Sequence, residues 1–97
     1  VLLLDEPAAG LDLGGRETLV GTLSALAGDR MAPATILVTH HVDEIPPGFT
    51  HLLLLAEGRR LAAGPLDKTL NGETLSQCFG LALSVARRGG RWQAWAE

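Results

Sequence analysis

Hydrophobic positions fall along the chain in short uninterrupted runs separated by breakers. The first run, Val1 to Leu4, stops abruptly at Asp5 and Glu6. An apolar run of this length closed by a breaker predicts a strand buried on both faces, as in a parallel sheet. Pro7 to Asp12 is a small-residue loop in which Gly10 supplies backbone freedom. From Leu13 to about Ala27 the period changes. Leu19, Leu23 and Leu26, with Val20 and Ala27 beside them, recur at helical spacing, while Arg16, Glu17 and Thr22 fall largely off that stripe. Asp12 is placed to cap this helix, and Gly28-Asp29 to end it.

The second half of the pattern is shorter in stride. Thr35 to Thr39 is a β-branched apolar run that predicts a second strand, ending in His40-His41. Val42 to Ile45 predicts a short polar helical turn, stopped by Pro46-Pro47-Gly48. His51 to Ala56 contains four consecutive leucines and predicts a third buried strand. Glu57-Gly58 is a tight turn, with Arg59 to Ala63 as the antiparallel return and Gly64-Pro65 as its end. Two short helices are predicted over Leu66 to Leu70 and Glu73 to Phe79, split by Asn71-Gly72. Leu81 to Arg88 and Arg91 to Ala96 flank Gly89-Gly90, a hairpin turn of the primed type. Trp92 and Trp95 are three apart, so a regular strand points them to opposite faces, one packed and one exposed or at an interface. The order of elements is that of an α/β fold with parallel strands and right-handed crossovers.

Composition adjusts this picture only slightly. A chain of 97 residues with 46% apolar content holds one small globular domain. A formal charge of −3 gives no broad basic face for nucleic acid. The clusters Arg59-Arg60 and Arg87-Arg88 with Arg91 are read as solvated hairpin tips. Cys78 is the single cysteine, so no internal disulfide forms and a reducing compartment fits. No apolar run reaches the length of a membrane-spanning helix, and no signal peptide is visible. A start inside a strand pattern, without Met, is expected of a piece of something longer.

The chemistry sits where strands end. Asp5-Glu6 alone equally fits a helix cap or a surface ion pair. Thr39-His40 ends the second strand, however, and carboxyl ends of parallel strands share one edge of the sheet, where ligands bind. Two carboxylates and an imidazole would then converge. Phosphoryl hydrolysis needs such parts: one carboxylate for a magnesium ion, one for the attacking water, and a donor for the γ-phosphate oxygens.

At this point the sequence resembles a known family, the ABC-type ATPases. VLLLDEP resembles the Walker B strand with its catalytic Glu, AAGLD the D-loop, and VTH the switch-histidine loop. The hairpin LLLLAEGRRLAAGP is similar to the strand, turn and return that follow them. The resemblance covers roughly residues 1 to 70. It implies a partial P-loop NTPase (RecA-like) parallel sheet with flanking helices and C-terminal β-hairpins. Residues 1–80 would be the C-terminal part of the nucleotide-binding domain and 81–97 its hairpin extension.

The roles it implies are specific. Asp5 would hold the Mg²⁺ shell, Glu6 would act as general base, and His40 would contact the γ-phosphate of ATP. Asp12 would reach across a nucleotide-sandwich dimer to the phosphate site of a second nucleotide-binding domain. His41 stands where Asp is frequent in the family and is read as a helix-start or surface residue, and His51 as structural. The implied cofactors are ATP and Mg²⁺. The implied partners are that second domain and transmembrane permease subunits, with a cytoplasmic, peripheral location on the inner face of the membrane. THHVDEIPPGFTH looks closest to importer cassettes of the metal-complex or molybdate kind. The family's G-x-x-x-x-G-K-[ST] loop and LSGGQ-like signature do not occur in these residues. Without the central strand that carries the first, the strands are expected to have unpaired edges. Two other functions are compatible: a soluble, non-transport ABC ATPase, and a non-catalytic interaction module that docks through Leu81 to Ala96.

Overall fold

The computed structural model describes residues 1–97, which divide into two compact units, Val1–Phe49 and Thr50–Glu97. In the first unit, β1 (Leu2–Asp5) leads through α1 (Leu13–Ala27) to β2 (Thr35–Val38), and a 3₁₀ turn follows at Val42–Glu44. β1 and β2 pair in parallel, Leu2 opposite Thr35 through Asp5 opposite Val38. The helix occupies the residues its periodicity predicts. Asp12 caps it, its Oδ1 accepting the Gly15 N–H at 2.8 Å, and Val20 and Leu23 on the apolar stripe are buried.

The strands depart from the expectation of burial on both faces. Leu2, Leu4, Thr35 and Leu37 are half-buried, but Leu3 is 63% exposed and Ile36 53%. The reason is one of layers. This unit has a single helix longer than one turn, and one helix can cover only one face of a sheet.

In the second unit, β3 (His51–Ala56) pairs antiparallel with β4 (Arg59–Pro65). α2 (Leu66–Thr69) and α3 (Gly72–Phe79) come next, and β5 (Leu83–Arg88) and β6 (Arg91–Ala96) form a closing hairpin. The sheets are thus three separate pairs, of which β1–β2 alone is parallel. Both hairpins turn through two residues of positive φ, Glu57 and Gly58 (53° and 72°), then Gly89 and Gly90 (57° and 78°). That is the backbone a type I′ turn requires.

Gly64-Pro65 does not end β4 as its composition predicts, since Leu52 pairs with Gly64 and His51 with Pro65. Pro65 is the last residue of a strand with only one partner, so its missing N–H costs little. β3 again buries one face only: Leu53 and Leu55 remain more than half exposed. The core of this unit is Leu66, Leu70, Leu75 and Trp92. Asn71 caps α3 by accepting the Thr74 N–H at 2.9 Å. The tryptophans divide as their spacing predicts. Trp92 is buried, with the Arg87 guanidinium 5.0 Å from its ring centroid, and Trp95 is half exposed.

Leu75 is fully buried. Leu75→Ala is therefore expected to destabilise the Thr50–Glu97 unit by about 2–5 kcal/mol, the lost transfer energy plus the cavity left behind. Denaturant unfolding followed by the fluorescence of Trp92 and Trp95 will report it, and a loss below about 1 kcal/mol would mean that Leu75 is not a core residue.

Candidate functional site

The site begins where β1 ends. The Glu6 N–H donates to Val38 O at 2.9 Å, one rung beyond the paired strands. The chain then turns sharply, and the Glu6 carbonyl accepts the Ala9 N–H at 3.1 Å. Glu6 makes this turn at φ 52°, a left-handed conformation for a residue with a side chain. Pro7 follows it, and a residue before proline ordinarily prefers extended backbone. Strain of this kind, of order 1–3 kcal/mol, collects at functional sites.

The turn carries the Glu6 carboxylate towards the end of β2. Its Oε1 lies 3.3 Å from His40 Nε2. That oxygen is itself buried and makes no hydrogen bond, so the imidazole is its polar neighbour at contact range. The contact is an ion pair when His40 carries a second proton and a loose dipolar contact when it does not. His40 is 76% exposed at its side chain, against 32% for Glu6. The carboxylate is thus the more sheltered of the two groups and the imidazole the more open.

The other two site residues are placed differently. Asp5 is the last residue of β1, opposite Val38, on the exposed face with Leu3 and Ile36. Asp12 is committed to the α1 cap. No group of three or more His, Cys, Asp or Glu side chains is disposed to hold a metal. An open carboxylate at a strand end still suits magnesium, which keeps several waters and takes one or two carboxylates together with substrate phosphates.

The contacts that hold the segment following β2 follow no periodic pattern in the sequence. Glu44, in the 3₁₀ turn, is buried at 8% exposure and accepts a hydrogen bond from the Thr39 hydroxyl. The same hydroxyl accepts the His41 N–H at 3.1 Å. Asp43 pairs with Arg16 of α1 at 2.9 Å. The Ser24 hydroxyl of α1 donates to Pro47 O at 2.8 Å. The one available hint was an acid directly before the apolar Ile45-Pro46, both of which are buried.

No protein-family model matches the chain. Its sequence is 39% identical over 85 residues to YlmA, an ABC transporter ATP-binding protein of Bacillus subtilis, covering 88% of this chain and 32% of that protein. It is also 39% identical over 75 residues to the molybdenum import ATP-binding protein ModC of Shewanella sp. (strain MR-7), covering 77% and 20%. In fold it matches a chain of an ABC transporter solved in an inward-facing conformation, with a TM-score of 0.72 and 25% identity over 95% of this chain and 37% of that one. The chain therefore spans about a third or less of the curated relatives that it matches.

Proposed function

We propose that this chain, which belongs to the ABC transporter ATP-binding protein family, is the water-activating part of a subunit that hydrolyses ATP to drive transport. The observation that carries the reading is the 3.3 Å approach of Glu6 and His40, each just past the end of one of two paired parallel strands. Groups so close can face one reacting centre.

Glu6 holds a water and takes its proton as the water oxygen bonds to the γ-phosphorus. The bond from that phosphorus to the β–γ bridging oxygen breaks, and ADP leaves with the electron pair. His40 Nε2 donates a hydrogen bond to a γ-phosphate oxygen, where charge is spread in the transition state. Asp5 is the residue that would hold Mg²⁺, which when bound offsets the charge on the phosphate oxygens. Asp12 stands in the loop directly after these groups and would face a second nucleotide-binding domain.

In this reading permease subunits are the further partners, and the protein lies on the cytoplasmic face of the membrane. No helix of the chain is long and apolar enough to cross one. The molybdenum-import relative and the THHVDEIPPGFTH segment favour an importer.

The test is phosphate release by the full-length protein that carries this chain. His40→Ala is expected to lower kcat about 10²-fold while ATP binding changes far less, since the donor acts chiefly on the transition state. An unchanged kcat would remove His40 from the reaction.

A further inference from the structure

We infer that Glu44 is a positioning residue for His40, an inference that rests on the function proposed above. His40 is mostly exposed, and its polar contact, the one with Glu6, is long for a hydrogen bond. An imidazole so placed has little packing of its own to fix its direction. Its aim must come from the backbone on either side. Both sides are tied to one atom, the Thr39 hydroxyl oxygen, which donates its hydrogen to the Glu44 carboxylate and accepts the His41 N–H. His40 sits between those two ties.

The anchor of the brace is itself fixed. Glu44 is buried, and a buried carboxylate is tolerated only where it is hydrogen-bonded. Ile45 and Pro46, which follow it, are both buried. The turn is pinned to α1 through Ser24 to Pro47 and through Arg16 to Asp43. A rigid acceptor thus orients a hydroxyl, and the hydroxyl orients the peptide after the histidine. An acceptor at position 44 is what this arrangement needs, and a formal charge is not.

That distinction makes the inference testable in the full-length protein. Glu44→Leu removes the acceptor and Glu44→Gln keeps one. Thr39→Val removes the hydroxyl at nearly constant shape and Thr39→Ser keeps it. Glu44→Leu and Thr39→Val are expected to lower kcat about tenfold with KM nearly unchanged, the scale of a misplaced catalytic group. Glu44→Gln and Thr39→Ser should remain within about threefold of wild type. In a His40→Ala background Glu44→Leu and Thr39→Val should cost nothing more, because their effect passes through His40.

A further tenfold loss in that background would overturn the positioning role and leave only a structural one. If Glu44→Leu does not fold, the Thr39 pair decides by the same criteria. Wild-type turnover in Glu6→Gln would overturn the proposed function and the inference with it. An inactive Glu6→Gln beside wild-type rates in Glu44→Leu and Thr39→Val would overturn the positioning role alone.

Discussion

Glu6→Gln in the full-length protein will leave ATP binding intact and lower turnover by about 10²–10⁴-fold, the range a general base contributes. The amide keeps the length and shape of the side chain, so the left-handed turn at φ 52° and the approach of Pro7 need not change. What it loses is the basicity of the carboxylate, which an amide oxygen lacks. Binding should hold or tighten, because a negative charge beside the phosphates has been removed. Phosphate release and equilibrium nucleotide binding, measured on the same preparation, separate the two effects. Turnover within about threefold of wild type would take the base role from Glu6. The partner His40 gives a contrasting pattern. In the proposed role it acts on charge and not on the proton, so its loss should cost less than the loss of Glu6.

The parts of the fold that were legible in the sequence are those set by local rules. α1 was readable because a change of period, an Asp at the cap and a Gly at the end all agree. The two hairpin turns were readable because Glu57-Gly58 and Gly89-Gly90 place glycine where φ must be positive. Burial was not legible. A continuous apolar run announces a strand made to be covered on both faces, but it cannot say how many layers are present to cover it. Leu3 and Ile36 are exposed for that reason, and Leu53 and Leu55 likewise.

The site divides in the same way. Glu6 and His40 could be placed from strand ends alone, since parallel strands send their carboxyl ends to one edge. The brace from Glu44 to Thr39 could not. A single buried acid in a polar turn has no period, and only the fold shows that Ile45 and Pro46 carry it inward. Asp12 was legible as a cap because capping is local. A role towards a second domain draws on surfaces outside this chain, which no local rule reaches.

The 97-residue chain by itself will show no saturable heat with Mg-ATP at concentrations up to about 1 mM in titration calorimetry. Even a 1 mM complex needs only about 4 kcal/mol of binding energy, and few groups on this chain can supply it. Phosphates are held chiefly by backbone N–H groups in a glycine-rich loop or at a helix N-terminus, and by a lysine among them. The one lysine here, Lys68, lies in α2 and not in such a loop. At the start of α1 the Gly15 N–H is already taken by Asp12, whose charge would also repel a phosphate. At the start of α3 the Thr74 N–H is taken by Asn71. Asp5 and Glu6 carry the same sign as the nucleotide, and the chain as a whole is at −3. A magnesium ion held by Asp5 and a hydrogen bond from His40 would be the main attractions left at the site, and contacts made by such exposed groups are worth little in solvent. The full-length protein should bind Mg-ATP under the same conditions. Saturable micromolar binding by the 97 residues alone would mean that they hold a phosphate cradle of their own, and would move the centre of the site away from Glu6 and His40.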